Sequence, residues 1–263
     1  MKRLHPKLRI AQLASLTAFL AIWWGATHFF NVPSYVLPPP SQVWGALWQG
    51  YVGGTLWKHL FYTMQSTVTG YLAGCGFGFL LGLLIAESRG LELVIYPYII
   101  ALQSMPKVAL APLIIMWFGL GLESKIVMVS LICFFPVLVN TFVGLRQADE
   151  KLIELYQAYG ASRLSILYHV KLPAAAGSIF AGLQISVALG LIGAVVSEFI
   201  ASQRGLGNVI QSASINMDAG LMFSALFSLA AIGTIGSQII RYLHWRVVFW
   251  DRRTNSTSTP STS

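Results

Sequence analysis

The stretch AAAGSIFAGLQISVALGLIGAVVSEFI, residues 174–200, holds one charged side chain, Glu198, and no basic one. Wound as a helix at about 1.5 Å per residue, it reaches across the roughly 30 Å of bilayer hydrocarbon. In that medium a helix satisfies every backbone group internally, which an open strand does not. Working outward, apolar runs near 10–30, 66–86, 93–118, 125–145 and 219–243 repeat the pattern. They predict an all-α, polytopic membrane protein of about six transmembrane helices.

Composition agrees. Of 263 residues, 56% are hydrophobic and 10% charged, with a mean hydropathy of +0.67. A soluble domain carries roughly 25% charge. Six spans of roughly 20 residues use about 120 positions, leaving loops but no separate folded domain. This excludes a soluble enzyme, a secreted disulfide scaffold and a tethered catalytic head. Residues 1–253 are read as one transmembrane domain, and the Ser/Thr/Pro-rich tail 254–263 as disordered. Cys75 and Cys133 fall inside apolar runs and are expected to be reduced packing residues.

The net charge is +8. In a membrane chain such an excess marks inner loops and anionic headgroups rather than nucleic acid. Lys2, Arg3, Lys7 and Arg9 precede the first apolar run, which is long and lacks a small-residue cleavage site, so it is expected to remain as a span. Alternate spans then place 13 Lys and Arg inside and 3 outside, the outer ones being Lys58, Lys125 and Arg204. Both termini are therefore expected in the cytoplasm of a multi-pass inner-membrane protein. In the outer segment 31–60, Pro38, Pro39 and Pro40 are stiff, and Ser41 is positioned to cap a short helix with Val43, Trp44, Leu47 and Trp48 on one face. Such a helix either lies on the membrane surface or meets an outer partner.

Gly70, Gly74, Gly78 and Gly82 recur every four residues through the second span. Small residues let helix backbones approach in lipid, where the hydrophobic effect between helices is absent. The stripe is read as tight packing, with a groove for a sliding helix as the alternative.

The inner loop 146–173 is far longer than a minimal connector. Asp149 and Glu150 suit a helix first turn, and the helical pattern runs to Tyr159. Gly160 then ends it by taking positive φ. Ser162 is placed to cap a second short helix in which Leu164, Leu167 and Tyr168 share a face, and Pro173 ends that helix and begins the fifth span. A helix–glycine–helix knuckle on the inner face has the shape of a docking element for a soluble partner.

Glu154-Leu155-Tyr156-Gln157-Ala158-Tyr159-Gly160 followed by Val170-Lys171-Leu172-Pro173 resembles the cytoplasmic "EAA" loop of ABC-importer permease subunits. Glu154, Gly160, Val170, Leu172 and Pro173 match that pattern in spacing, whereas Leu155 and Tyr156 replace its two alanines. Leu37-Pro38-Pro39-Pro40, the run 106–113 followed by Trp117-Phe118-Gly119, Phe135-Pro136 with Asn140, and Glu198-Phe199 before Gly205-Leu206-Gly207 resemble the nitrate/sulfonate/taurine-type branch. The resemblance implies a type I ABC-importer permease fold whose loop docks on a dimer of ATP-binding subunits. It also implies a periplasmic or lipid-anchored solute-binding protein and a second permease copy. The docking residues so implied are Glu154, Ala158, Gly160, Ala161, Ser162, Leu164, Leu167, Leu172 and Pro173. The chain has no G-x-x-x-x-G-K-[ST], so ATP and Mg are expected on the partner and no cofactor here.

Any charge kept in the membrane faces protein or water, because it costs roughly 2.5–3.5 kcal/mol at the centre of a span. Lys107 follows Pro106 in the third span and either meets an anionic solute or a carboxylate, or snorkels to a polar contact. Glu198 either contributes to an outer gate or pairs with Arg204. Gln103, Asn140 and Gln184 are expected to hydrogen-bond between helices along the translocation path.

The sequence thus reads as a permease subunit, not an enzyme, for a small anionic solute such as a sulfonate, taurine or nitrate. A pyrimidine, flavin-like or aromatic acid solute is the alternative. An ion-driven secondary transporter would want more intramembrane carboxylates than Glu198. An intramembrane enzyme would want H-E-x-x-H or G-x-S-x-G, which the chain lacks. A structural scaffold is separated from a permease by binding of an ATPase subunit.

Overall fold

The structure, a computed structural model, describes residues 6–29 and 32–250. The expected disordered tail 254–263 lies outside the described residues, as do Lys2, Arg3, Arg252 and Arg253. In chain order the helices are α1 (Pro6–Phe29), α2 (Pro40–Val52), α3 (Thr55–Glu87), α4 (Arg89–Ser104), α5 (Ala111–Phe118), α6 (Leu122–Arg146), α7 (Glu150–Ala158), α8 (Arg163–Ile166), α9 (Leu172–Ala201), α10 (Leu206–Ile215) and α11 (Ala219–Val247). A 3₁₀ turn, Lys107–Leu110, lies between α4 and α5, and a π turn, Leu167–Lys171, joins α8 to α9.

Among the described residues, four helices are long and apolar enough to cross a membrane: Thr55–Glu87, Leu122–Arg146, Arg163–Ile200 and Ala219–Val247. A bent pair, Arg89–Ser104 with Lys107–Phe118, makes a fifth if taken as one span. That pair contains the apolar run 93–118, and Pro106 interrupts the helix within it. The chain turns by 86° there, because Pro106 lacks an N–H and forces Met105 into extended backbone at ψ 139°.

The chain divides into two compact units. The first comprises residues 1–63 and 203–230. In it the Trp23 indole N–H donates to Pro38 O at 3.1 Å, and its ring sits 6.0 Å from those of both Phe223 and Phe227. The Leu206 N–H donates to Thr63 Oγ1 at 2.8 Å. Helix α2 begins at Pro40, whose missing N–H and fixed φ suit the first turn, so Ser41 lies inside the helix and does not cap it. Val43 is buried whereas Trp44 and Trp48 are exposed. The apolar residues expected on one face are thus split between two.

The second unit comprises, of the described residues, 64–202 and 231–250 and is built around α6. Ile85 and Ala86 of α3, Ile99 of α4, Leu167 and Ala175 pack with Phe135, Leu138, Phe142 and Leu145 of α6. Further along α6, Val129, Cys133 and Val137 pack with Cys75 and Ala194. Both cysteines are free and buried. The glycine stripe lies directly on α6. A Cβ at Gly78 would stand 2.5 Å from Phe134 O, and one at Gly82 2.7 Å from Leu138 O. At Gly74 it would run into the Ser130 carbonyl. From the other side, Gly182 brings α9 onto Pro136 O of α6, where a Cβ would stand at 2.9 Å. Outward-facing Leu72, Phe77, Leu80 and Leu84 of α3 remain exposed, as a lipid-facing helix requires.

Hydroxyl and thiol side chains make the hydrogen bonds between these helices. The Ser130 hydroxyl donates to Gly70 O at 3.0 Å. The Ser186 hydroxyl donates to Cys133 O at 3.1 Å, and the Cys133 thiol donates back to Ser186 O at 3.3 Å. Tyr71 reaches Leu183 O at 3.1 Å. This corrects the assignment of that role to amides. Asn140 Nδ2 donates to Pro136 O of its own helix at 2.7 Å.

Candidate coupling knuckle and solute path

The knuckle forms where its capping residues stand. Asp149 accepts from the Lys151 N–H at 2.9 Å and starts α7. At the other end Gly160 has φ +76°. Its N–H donates to Gln157 O at 2.9 Å, and the Ala161 N–H donates to Tyr156 O at 3.0 Å. These two bonds are the 5→2 and 6→1 pair of a Schellman motif, which reverses the chain in one residue. Ser162 then accepts from the Ser165 N–H at 3.2 Å and opens α8.

Pro173 does not end the second helix as expected. Winding continues unbroken from Arg163 to Ile200. Pro173 has no N–H to give, and the widened π turn before it absorbs that loss instead of a break. The Trp250 indole N–H caps the Pro173 carbonyl at 3.1 Å.

Glu154, Ala158, Gly160, Ser162 and Leu164 are exposed, Ala161, Leu172 and Pro173 are half-buried, and Leu167 is buried. Leu167 therefore leaves the docking set: it packs with Ile85 and Leu145 in the core. Leu164 and Tyr168 keep the exposed face. Sequence reasoning missed Leu155 and Tyr159, exposed apolar residues one turn apart on α7 and its cap. Their i, i+4 spacing was the available signal. Leu155, Tyr159, Leu164 and Tyr168 give the knuckle an apolar tip with no cover among the described residues.

The knuckle is anchored by ion pairs. Lys171 Nζ donates to Glu87 Oε1 at 2.6 Å, and Arg146 pairs with Glu92. These tie the ends of the loop to the junction of α3 and α4.

Beside the bend between α4 and α5 the structure brings Gln103 and Lys107 together in a cavity of about 280 Å³, walled by Val108, Ile132, Phe135, Pro136, Leu189 and Ile192. Lys107 Nζ donates to Gln103 O at 2.9 Å and lies 4.7 Å from the centre of the Phe135 ring. The ammonium thus retains N–H donors beyond that one bond and is steadied by the ring face. Asn140, Gln184 and Glu198 do not line this cavity.

Lys125, counted above among the outer charges, is instead fully buried in the first turn of α6. Its Nζ donates to Leu120 O at 2.6 Å, and the carboxylates acting on it are those of Glu198 and Glu123. Glu198 is itself fully buried. A sequence reading that put Lys125 in an exposed loop had no means of joining it to Glu198 on a helix far along the chain.

Residues 78–248 match the family described as binding-protein-dependent transport system inner membrane component. The chain is 38% identical over 239 residues to the riboflavin transport system permease protein RibX of Chloroflexus aurantiacus, covering 88% of this chain and 89% of that one. It is 30% identical to the taurine transport system permease protein TauC of Escherichia coli, over 90% of this chain and 88% of the relative. Its fold resembles a solved inward-facing structure of the MetNI methionine ABC transporter, with a TM-score of 0.61 at 20% identity, covering 71% of this chain and 95% of that chain. The chain therefore belongs to the inner membrane components of binding-protein-dependent transport systems, as an ABC-importer permease subunit of the branch that includes taurine, sulfonate and nitrate permeases.

Proposed function

We propose that two copies of this chain enclose the translocation path of an importer for a small anionic solute, driven by a separate pair of ATP-binding subunits that grip the knuckle around Gly160. ATP and Mg belong to those subunits. A solute-binding protein delivers the cargo from outside, and both termini face the cytoplasm. The observation that carries this reading is the continuous helix Arg163–Ile200. A displacement applied at the knuckle is passed rigidly into α9, which packs along α6 beside the Lys107 cavity. Closure of the ATPases then shifts the permease between two states, because docking contacts differ between them.

Lys107 is assigned to the solute's anionic group, and Phe135 to its apolar part. The similarity to a riboflavin permease, with the apolar walls around this ammonium, favours flat ring-bearing solutes as a second reading beside sulfonates and nitrate.

Co-purification tests the coupling. Leu164→Asp places a charge on the exposed apolar tip, and at least a tenfold loss of ATP-binding subunit from the purified complex is expected, about 1.4 kcal/mol or more. Unchanged recovery overturns the docking assignment. Uptake tests the path: Lys107→Met is expected to lower solute uptake at limiting concentration about tenfold while leaving ATPase binding intact, the order of one lost charged contact. Equal uptake removes Lys107 from the path.

A further inference from the structure

Beneath the knuckle lies a second cavity, of about 460 Å³, lined by Glu87, Ser88, Arg89, Ile153, Gln157, Arg163, Ile166 and Lys171. Three cations and one carboxylate face it, and the Lys171–Glu87 pair cancels one of each. Arg89 and Arg163 remain, and neither guanidinium has a hydrogen bond or ion pair among the described residues. Both are exposed, one at the start of α4 and one at the start of α8. Ser88 accepts from the Leu91 N–H at 3.4 Å, so its own hydroxyl proton is free to point into the cavity.

We propose that this cavity is a phosphate-binding site, taking either the headgroup of an anionic inner-leaflet phospholipid or free inorganic phosphate. Two forked guanidinium groups match the geometry of phosphate oxygens better than that of any neutral ligand. The cavity lies between the loop and the junction of α3 with α4, on the side of the inner-leaflet headgroups when 146–173 faces the cytoplasm. A phosphate held there bridges α4 to α8 and stiffens the knuckle against the membrane helices. The site rests on the orientation given above, but its occupancy is read without transport, so its failure is distinct from a failure of coupling.

The test uses the intact permease–ATPase complex and the variant Arg89→Gln/Arg163→Gln, with Arg89→Lys/Arg163→Lys as the charge-conserving control. Native mass spectrometry reads phosphatidylglycerol retained from vesicles of phosphatidylcholine with and without that lipid. Radiolabelled inorganic phosphate is measured in parallel. At least a tenfold drop in retained phosphatidylglycerol in the glutamine variant, with partial retention in the lysine control, supports the lipid headgroup. The same drop in bound phosphate alone supports the free ion. Equal retention of both probes by wild type and glutamine variant overturns the site. So does loss of the ATP-binding subunit with both probes unchanged, since the arginines would then belong to a protein contact.

Discussion

Glycine serves two unrelated purposes in this chain, one on α3 and one in the knuckle. At Gly70, Gly74, Gly78 and Gly82 the backbone is ordinary helix, and a side chain has nowhere to go because α6 occupies the space. At Gly160 a Cβ would meet nothing within 4 Å, yet φ is +76°. The first set is required by contact and the second by conformation. A substitution in the seam acts on folding; one in the knuckle acts on the shape offered to a partner.

Three substitutions break or sharpen that contrast. Gly78→Val drives branched carbon into the Phe134 carbonyl, and against unyielding backbone a cost of about 3 kcal/mol or more is expected. Yield of folded protein after extraction should collapse, and near-normal yield would mean the helices separate easily. Gly160→Val is milder for the fold, about 1–2 kcal/mol for a side chain in the left-handed region. Membrane insertion and extraction should survive, while ATP hydrolysis by the assembled complex should no longer drive uptake. Gly160→Asn, which tolerates that region, should recover much of the coupling. Retained coupling in the valine variant would count against the bend as the transmitting element. Smallest is Ser186→Ala, which removes the donor to Cys133 O. About 0.6 kcal/mol, the average for a hydrogen bond between membrane helices, should appear as a slight shift in thermal extraction. A loss as large as that of Gly78→Val would mean hydroxyls, not backbone proximity, hold α6 and α9 together.

Much of the knuckle was legible residue by residue. Asp149, Gly160 and Ser162 do what their chemistry predicts, since caps and left-handed turns depend on neighbours within a few positions. Leu167 was not legible, because its spacing from Leu164 suits either of two faces and only the position of α3 and α6 decides which one is covered. Lys125 was misplaced for a similar reason. A charge near a span end reads as solvated unless a distant carboxylate is known to meet it, and Glu198 lies 73 positions away. The candidate path was legible only in part: Pro106 and Lys107 drew attention as a break and a charge, but nothing local announced that Phe135 would lie under the ammonium.

By itself the sequence determined that the chain is helical and membrane-spanning, where the inner loop bends, and which family it resembles. Those follow from hydropathy, backbone hydrogen bonding and short-range capping, which act within a turn or two. Tertiary structure alone decided that Lys125 and Glu198 are buried, that Leu167 joins the core, and which polar side chains find partners. Each of those depends on helices distant in sequence coming within van der Waals reach, and no local pattern encodes that distance.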